Sequence, residues 1–167
     1  RRGFLLLYPE FKDKCAVCYN LLDINKIKTL ANHSAFDKGD TKERRPIRIV
    51  TVARLEDIQK GIKRSLDVAK RLLDAGYLFE WFFVGSGVDE DMLKQYAKQL
   101  ELDSCVHWVG QVENPYMYIK HADLFALFSY YEGIPNTIFE SLIIGTPVIA
   151  TKVNGICEQL KDGWGFL

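Results

Sequence analysis

From residue 46 onward the hydrophobic period of the sequence keeps switching, and that alternation restricts the fold more than any single residue does. Short apolar runs at residues 47–53, 79–84, 105–109, 124–128 and 148–150 read as strands. Between them lie segments with apolar side chains three and four positions apart, as on a helix packed against a core. The segment 61–75 sets Ile62, Leu66, Ala69 and Leu73 on one face, and Gly76 stops it. Asp89, Glu90 and Asp91 suit a helix start, where negative charge meets the dipole; Met92, Tyr96 and Leu100 are that helix's expected inward face. A short helix is expected at 115–121. Apolar strands alternating with helices imply parallel units, right-handed crossovers and helices on both faces. The expected class is α/β and Rossmann-like. Ligands of such sheets bind at the carboxyl ends of the strands near the topological switch point, so the loops after Ala53, Val84, Val109, Phe128 and Ala150 matter most.

The richest of these stretches runs from 129 to 151. Gly133 and Pro135 mark a loop, Asn136 or Thr137 is expected to cap a helix, and Ile138, Phe139, Leu142 and Ile143 give it apolar positions. Gly145 ends that helix and Pro147 opens the next strand. Two acids interrupt the pattern: Glu132 before the helix and Glu140 within it. They do not share a helix face and would meet only around a ligand lying across the helix start, where free N–H groups favour phosphate. In the loop after the first strand, Arg54 and Lys60 precede Gly61 and could add cations to a diphosphate site. Taken alone, they are ordinary solvated charges. Gly85-Ser86-Gly87 lacks the third glycine of a dinucleotide fingerprint but permits close approach to the backbone. His107 lies in a strand run, His33 and His121 have no partners at metal or triad spacing, and neither a P-loop nor a Ser-His-Asp pattern is visible.

Composition removes other classes. Lys plus Arg and Asp plus Glu each total 22, which gives no field favouring nucleic acid. No apolar run reaches membrane-spanning length. Cys15 and Cys18 form one CxxC without the second close pair of a structural zinc site, and residues 16–19 read instead as an apolar strand; no metal site is expected. Free thiols suit a reducing cytoplasm. Residues 1–45 do not read as a self-contained unit, and the short apolar run at 4–7 lacks the marks of a signal sequence. Asp23 can cap a helix through Ile24, Ile27 and Leu30, and 32–45 reads as an exposed loop. Near the other end, 156–160 suggests a helix bearing Glu158, and 164–167 the start of a strand.

In order along the chain stand Val52-Ala53-Arg54-Leu55, Lys60-Gly61, Val84-Gly85-Ser86-Gly87, Val109-Gly110 and Ala122-Asp123-Leu124-Phe125. Glu132-Gly133-Ile134-Pro135-Asn136 through Glu140 follows, two glutamates with seven residues between them, then Gly145-Thr146-Pro147-Val148-Ile149-Ala150-Thr151. Together these segments resemble the carboxyl-terminal domain of glycosyltransferase family 4, whose E-x7-E motif has the same spacing. Tyr19-Asn20 and Asp23 resemble the family's crossing from the amino-terminal domain. The resemblance implies one half of a GT-B enzyme, with two facing Rossmann-like domains and sugar transfer from a nucleotide donor with retention. It implies no cofactor and no metal. Arg54 and Lys60 would hold the phosphates and stabilise the departing nucleotide; Glu132 would bind donor-sugar hydroxyls and Glu140 the ribose. Backbone around Gly133, Ile134, Pro135, Asn136 and Thr137 would touch sugar and phosphates, with Gly85 and Val109 to Val112 along the base and Glu158 a weaker candidate. The chain departs from the family's pattern at Ile134, where an aromatic is usual, and at Ser141, where Ala is commoner.

On this reading residues 1–45 are a remnant of the amino-terminal domain and the crossing, and 46–167 the donor-binding domain, cut short at its end. The donor expected is a UDP-hexose or UDP-N-acetylhexosamine, and the pathway bacterial surface polysaccharide synthesis in the cytoplasm at the inner face of the cell membrane. The acceptor would be a saccharide or lipid-linked molecule held by the missing domain. The fragment alone would be inactive, and its parent would associate with membrane peripherally. Two alternatives stay open: a nucleotide-sugar 2-epimerase of GT-B fold, and a non-catalytic Rossmann-like interaction module.

Overall fold

Each of the five expected strands forms, and all pair in parallel. The computed structural model describes residues 2–16, 18–33 and 45–167. The strands are β1 (Ile47–Val52), β2 (Phe79–Val84), β3 (Val106–Gly110), β4 (Leu124–Leu127) and β5 (Val148–Ala150), in the order β3-β2-β1-β4-β5. Ile49 stands opposite Trp81 on one side and Leu124 on the other, which places β1 at the centre. Its neighbours β2 and β4 leave in opposite directions, so the switch point lies between β1 and β4.

The helices divide between the two faces of the sheet. On one face α4 (Ile62–Asp74) and α5 (Glu90–Gln99) bury Ile62, Leu66, Ala69, Leu93 and Ala97 against Ile49, Trp81, Phe83 and Ala126. On the other, α2 (Ile24–Ala31), α6 (Tyr116–His121), α7 (Asn136–Ile144) and α8 (Asn154–Gln159) pack on Val50, Phe125, Leu127 and Val148. The one-turn helix α3 (Asp57–Lys60) precedes α4, and α1 (Arg2–Leu7) leads into a 3-10 turn, Pro9–Lys14. Asp23 caps α2 as expected, accepting from the Lys26 backbone N–H at 2.9 Å. Trp81 Nε1 donates to Thr51 Oγ1 at 3.0 Å, and Thr51 Oγ1 donates to the Ala126 carbonyl, so the Trp81 indole and the Thr51 hydroxyl are both paired in the core.

Several expectations need correction. Residues 16–19 are not a strand: those described have no sheet partner, Cys18 is exposed, and Val17 lies outside the described residues. On α5 the buried positions are Leu93 and Ala97, flanked by half-buried Tyr96 and Leu100, whereas Met92 is exposed. The period was right and the phase was off by one residue, about 100° around the helix. Neither Asn136 nor Thr137 caps α7; the N-cap is Pro135, and the Asn136 amide oxygen accepts from Asn20 Nδ2 at 2.7 Å instead. Of the loop 32–45, most lies outside the described residues. Arg45, however, is not exposed: its side chain keeps 6% of its surface and binds Asp123 bidentately at 2.6 and 3.0 Å. Asp123 also accepts from the Arg48 backbone N–H at 2.9 Å. The pair fastens the entry of β1 to that of β4. At the far end a 3-10 turn, Lys161–Gly163, intervenes, and of 164–167 Phe166 makes a parallel bridge to Ile149.

Candidate functional site

A cleft of about 430 Å³ opens at the carboxyl ends of β1, β2 and β3, beside the switch point. Its floor is Val52, Ala53, Val84 and Gly85, and its walls include Arg54, Ser86, Gln111, Val112, Pro115 and, from the start of α7, Thr137. Glycine shapes the floor. Gly85 has φ +136 and its missing Cβ would sit 2.1 Å from the Ala53 carbonyl oxygen, so only glycine lets the β2 loop lie against the β1 loop. Leu55 N–H donates to the Ser86 carbonyl at 3.0 Å and Asp57 N–H to Asp89 Oδ2 at 2.8 Å, which locks the two loops together.

Arg54 stands at the mouth with its side chain 68% exposed, held by Gln59 Oε1 at 3.0 Å and Glu56 at 3.2 Å. Lys60 is placed differently. Its ammonium lies 2.6 Å from Glu132 Oε1, and the two side chains keep 13% and 5% of their surface. The loop after β4 reaches this position because Tyr130 N–H donates to the Gln59 carbonyl at 2.8 Å, and because Gly61, at φ +60, admits the Phe128 carbonyl where a Cβ would lie 2.3 Å away. The loop's outer side rests on α8, where Gly155 comes against Gly133. Arg64 stacks on the Tyr130 ring, 3.6 Å from its centre.

Glu140, one turn into α7 beyond Thr137, accepts a long hydrogen bond from the Tyr116 hydroxyl at 3.4 Å. Burial pushes its carboxyl above the ordinary glutamate value, partly countered by Tyr116. Protonated Glu140 contributes stability that is complete below the ordinary glutamate pKa, about 4.3, and is lost as pH rises through the raised folded value. Glu140→Gln is therefore expected to melt higher than the wild type above neutrality, with the difference narrowing as pH falls; thermal midpoints measured across pH check this.

Of the residues singled out from sequence, Arg54, Gly85, Val112 and Thr137 line the cleft, and Lys60 and Glu132 are brought together beside its mouth. Val109 instead packs half-buried against the core on the α7 face. Gly133 is exposed, Ile134 half-buried and Pro135 buried, its carbonyl accepting from Gln159 Nε2 at 2.9 Å. The weaker candidate, Glu158, accepts from the Tyr19 hydroxyl. Sequence reasoning missed Gln59, Ser86 and Tyr116, whose local signals are those of ordinary loop and helix-start residues, whereas Gln111 lies within the stretch Val109 to Val112 expected along the base. Among the described residues no group of three or more His, Cys, Asp or Glu could hold a metal ion, and no helix is long and apolar enough to cross a membrane.

A family model described as glycosyl transferases group 1 matches residues 34–167. The amylovoran biosynthesis glycosyltransferase AmsK of Erwinia amylovora is 33% identical over 130 residues, 71% of this chain and 32% of that protein. The N-acetylgalactosamine-N,N'-diacetylbacillosaminyl-diphospho-undecaprenol 4-alpha-N-acetylgalactosaminyltransferase of Campylobacter jejuni is 31% identical over 161 residues, covering 92% of this chain and 40% of that protein. The chain thus spans well under half the length of these relatives. Among solved structures, Anabaena HepE in complex with UDP has a TM-score of 0.75 at 25% identity, over 91% of this chain and 43% of that one. A glycosyltransferase from Rickettsia africae has a TM-score of 0.79 at 20% identity, over 96% and 44% respectively, a likeness of fold.

Proposed function

The chain belongs to the group 1 glycosyl transferases, and on that premise we propose that it is the donor-binding domain of a retaining GT-B enzyme of glycosyltransferase family 4. Residues 46–167 form the donor-binding unit on this reading, and 1–45 carry the crossing from a partner domain that binds the acceptor. The observation that carries it is a cleft at the carboxyl end of the sheet with Arg54 on its wall, next to the loops after β1 and β4 that pair Lys60 with Glu132. A nucleoside diphosphate placed there lies between an exposed guanidinium and the ammonium of Lys60. Those two charges meet the negative charge that develops as the nucleotide leaves, so no metal is required on this reading. The donor sugar then lies toward Glu132 and the ribose toward Glu140. UDP is the favoured nucleotide, supported by the UDP complex of HepE. The relatives named for amylovoran biosynthesis and for a diphospho-undecaprenol acceptor support a place in bacterial polysaccharide synthesis with a saccharide or lipid-linked acceptor; on this reading the enzyme works at the inner membrane face.

Titration of the chain with UDP, GDP and their sugars tests this; binding of none would overturn it. Arg54→Ala separates the site from the fold. Its exposed side chain carries little stability, so the thermal midpoint should hold, within roughly 0.5 kcal/mol. Loss of a charged hydrogen bond to phosphate should weaken diphosphate binding by about 1.5–3 kcal/mol, roughly tenfold to 150-fold. Unchanged affinity would remove Arg54 from the phosphate site.

A further inference from the structure

The two carboxylate oxygens of Glu132 are used unequally. Oε1 accepts from the Lys60 ammonium at 2.6 Å and from the Ser129 hydroxyl at 2.8 Å, while Oε2 has no hydrogen-bond partner among the described residues. Ser129 is fully buried at 0% exposure, and its carbonyl accepts from Thr151 Oγ1 at 2.5 Å, which ties the end of β4 to the end of β5. A buried hydroxyl is costly unless it finds an acceptor. This one finds Glu132, three residues along the same loop. Lys60 alone would not choose between the two oxygens, because an ammonium is a point charge on a flexible stem that attracts either. A short hydroxyl on a backbone fixed from both sides does choose.

We propose that Ser129 is a positioning residue: with Thr151 behind it, it holds Glu132 with Oε1 turned inward and Oε2 left as the acceptor for one hydroxyl of the donor sugar. The inference rests on the reading of Glu132 as the sugar-facing carboxylate. It makes that reading more specific, since the carboxylate then offers the substrate one oxygen rather than a two-pronged grip on neighbouring hydroxyls. The remaining N–H groups of Lys60 stay available for the diphosphate, so the same ammonium joins sugar recognition to phosphate recognition.

The test compares the full chain with Ser129→Ala and Thr151→Val, titrated with UDP and GDP and with UDP-glucose, UDP-N-acetylglucosamine and GDP-mannose. The wild type should bind at least one sugar nucleotide more tightly than the parent diphosphate. In Ser129→Ala the diphosphate affinity should stay within about twofold while the extra affinity for the sugar falls by about tenfold. Thr151→Val should move the same ratio in the same direction by less, and it decides the matter if Ser129→Ala does not fold. A ratio unchanged in the variants overturns the proposal. So does a loss shared equally by diphosphate and sugar nucleotide with a lower thermal midpoint, which would make Ser129 purely structural. A wild type that binds diphosphate but gains nothing from the sugar overturns the assignment of Glu132, and with it this proposal. A wild type that binds neither overturns the donor-site reading itself.

Discussion

Lys60→Met should destabilise the chain by about 3–5 kcal/mol, the usual cost of removing one partner from a buried ion pair. Met keeps most of the apolar stem, so the loss reports on charge rather than on a cavity. What makes it large is the partner left behind: Glu132 has 5% of its side-chain surface exposed, and with Lys60 gone its carboxylate keeps only the Ser129 hydroxyl. Glu132→Gln should cost less, because the neutral amide still accepts from Ser129 and Lys60 retains 13% exposure. The double variant Lys60→Met/Glu132→Gln should recover most of the loss, since no charge is then stranded. Urea unfolding of the four proteins closes the cycle. Additive costs would mean that the pair is no more than two neighbouring side chains. The pairing also reframes Lys60, because its charge is already committed to Glu132 before a phosphate arrives.

The alternation of strands and helices was legible because burial on both faces writes continuous apolar runs into strands, and that signal is local. The parallel sheet and the set of loops at its carboxyl end follow from it, whereas the strand order, and with it the place of the switch point, depends on pairing between distant segments. Residues whose role depends on a partner far along the chain were not legible. Arg45 looks like the end of a charged loop until Asp123, 78 residues away, takes it out of water. Ser129 is a plain serine until Thr151, 22 residues on, fixes its carbonyl and so its hydroxyl's aim. The start of α7 was misread for a related reason: a capping residue can spend its side chain elsewhere, and Asn136 is engaged by Asn20, 116 residues distant. On α5 the sequence carried the right period, but its apolar residues allow two phases, and packing against Phe83 and its neighbours chose Leu93 over Met92.

Gly155→Ala should do the greatest damage to the candidate site of any single methyl group added to the chain. A Cβ on Gly155 would lie 1.1 Å from the Gly133 carbonyl oxygen and 3.2 Å from that of Glu132. No rotamer can relieve this, because the obstacle is backbone, so either α8 or the loop carrying Glu132 must move. The cost should reach or pass the upper end of the roughly 1–3 kcal/mol typical of overpacking. Moving that loop also pulls Glu132 away from Lys60 and Ser129, so sugar-nucleotide affinity should fall by about tenfold to 150-fold, the worth of one charged hydrogen bond. Gly133→Ala is the matched control. Gly133 faces the same contact from the other side, yet its own Cβ would meet nothing within 4 Å. That variant should stay within roughly 0.5 kcal/mol of the wild type. Thermal melts of both variants distinguish the cases: equal midpoints would show that α8 does not brace the Glu132 loop.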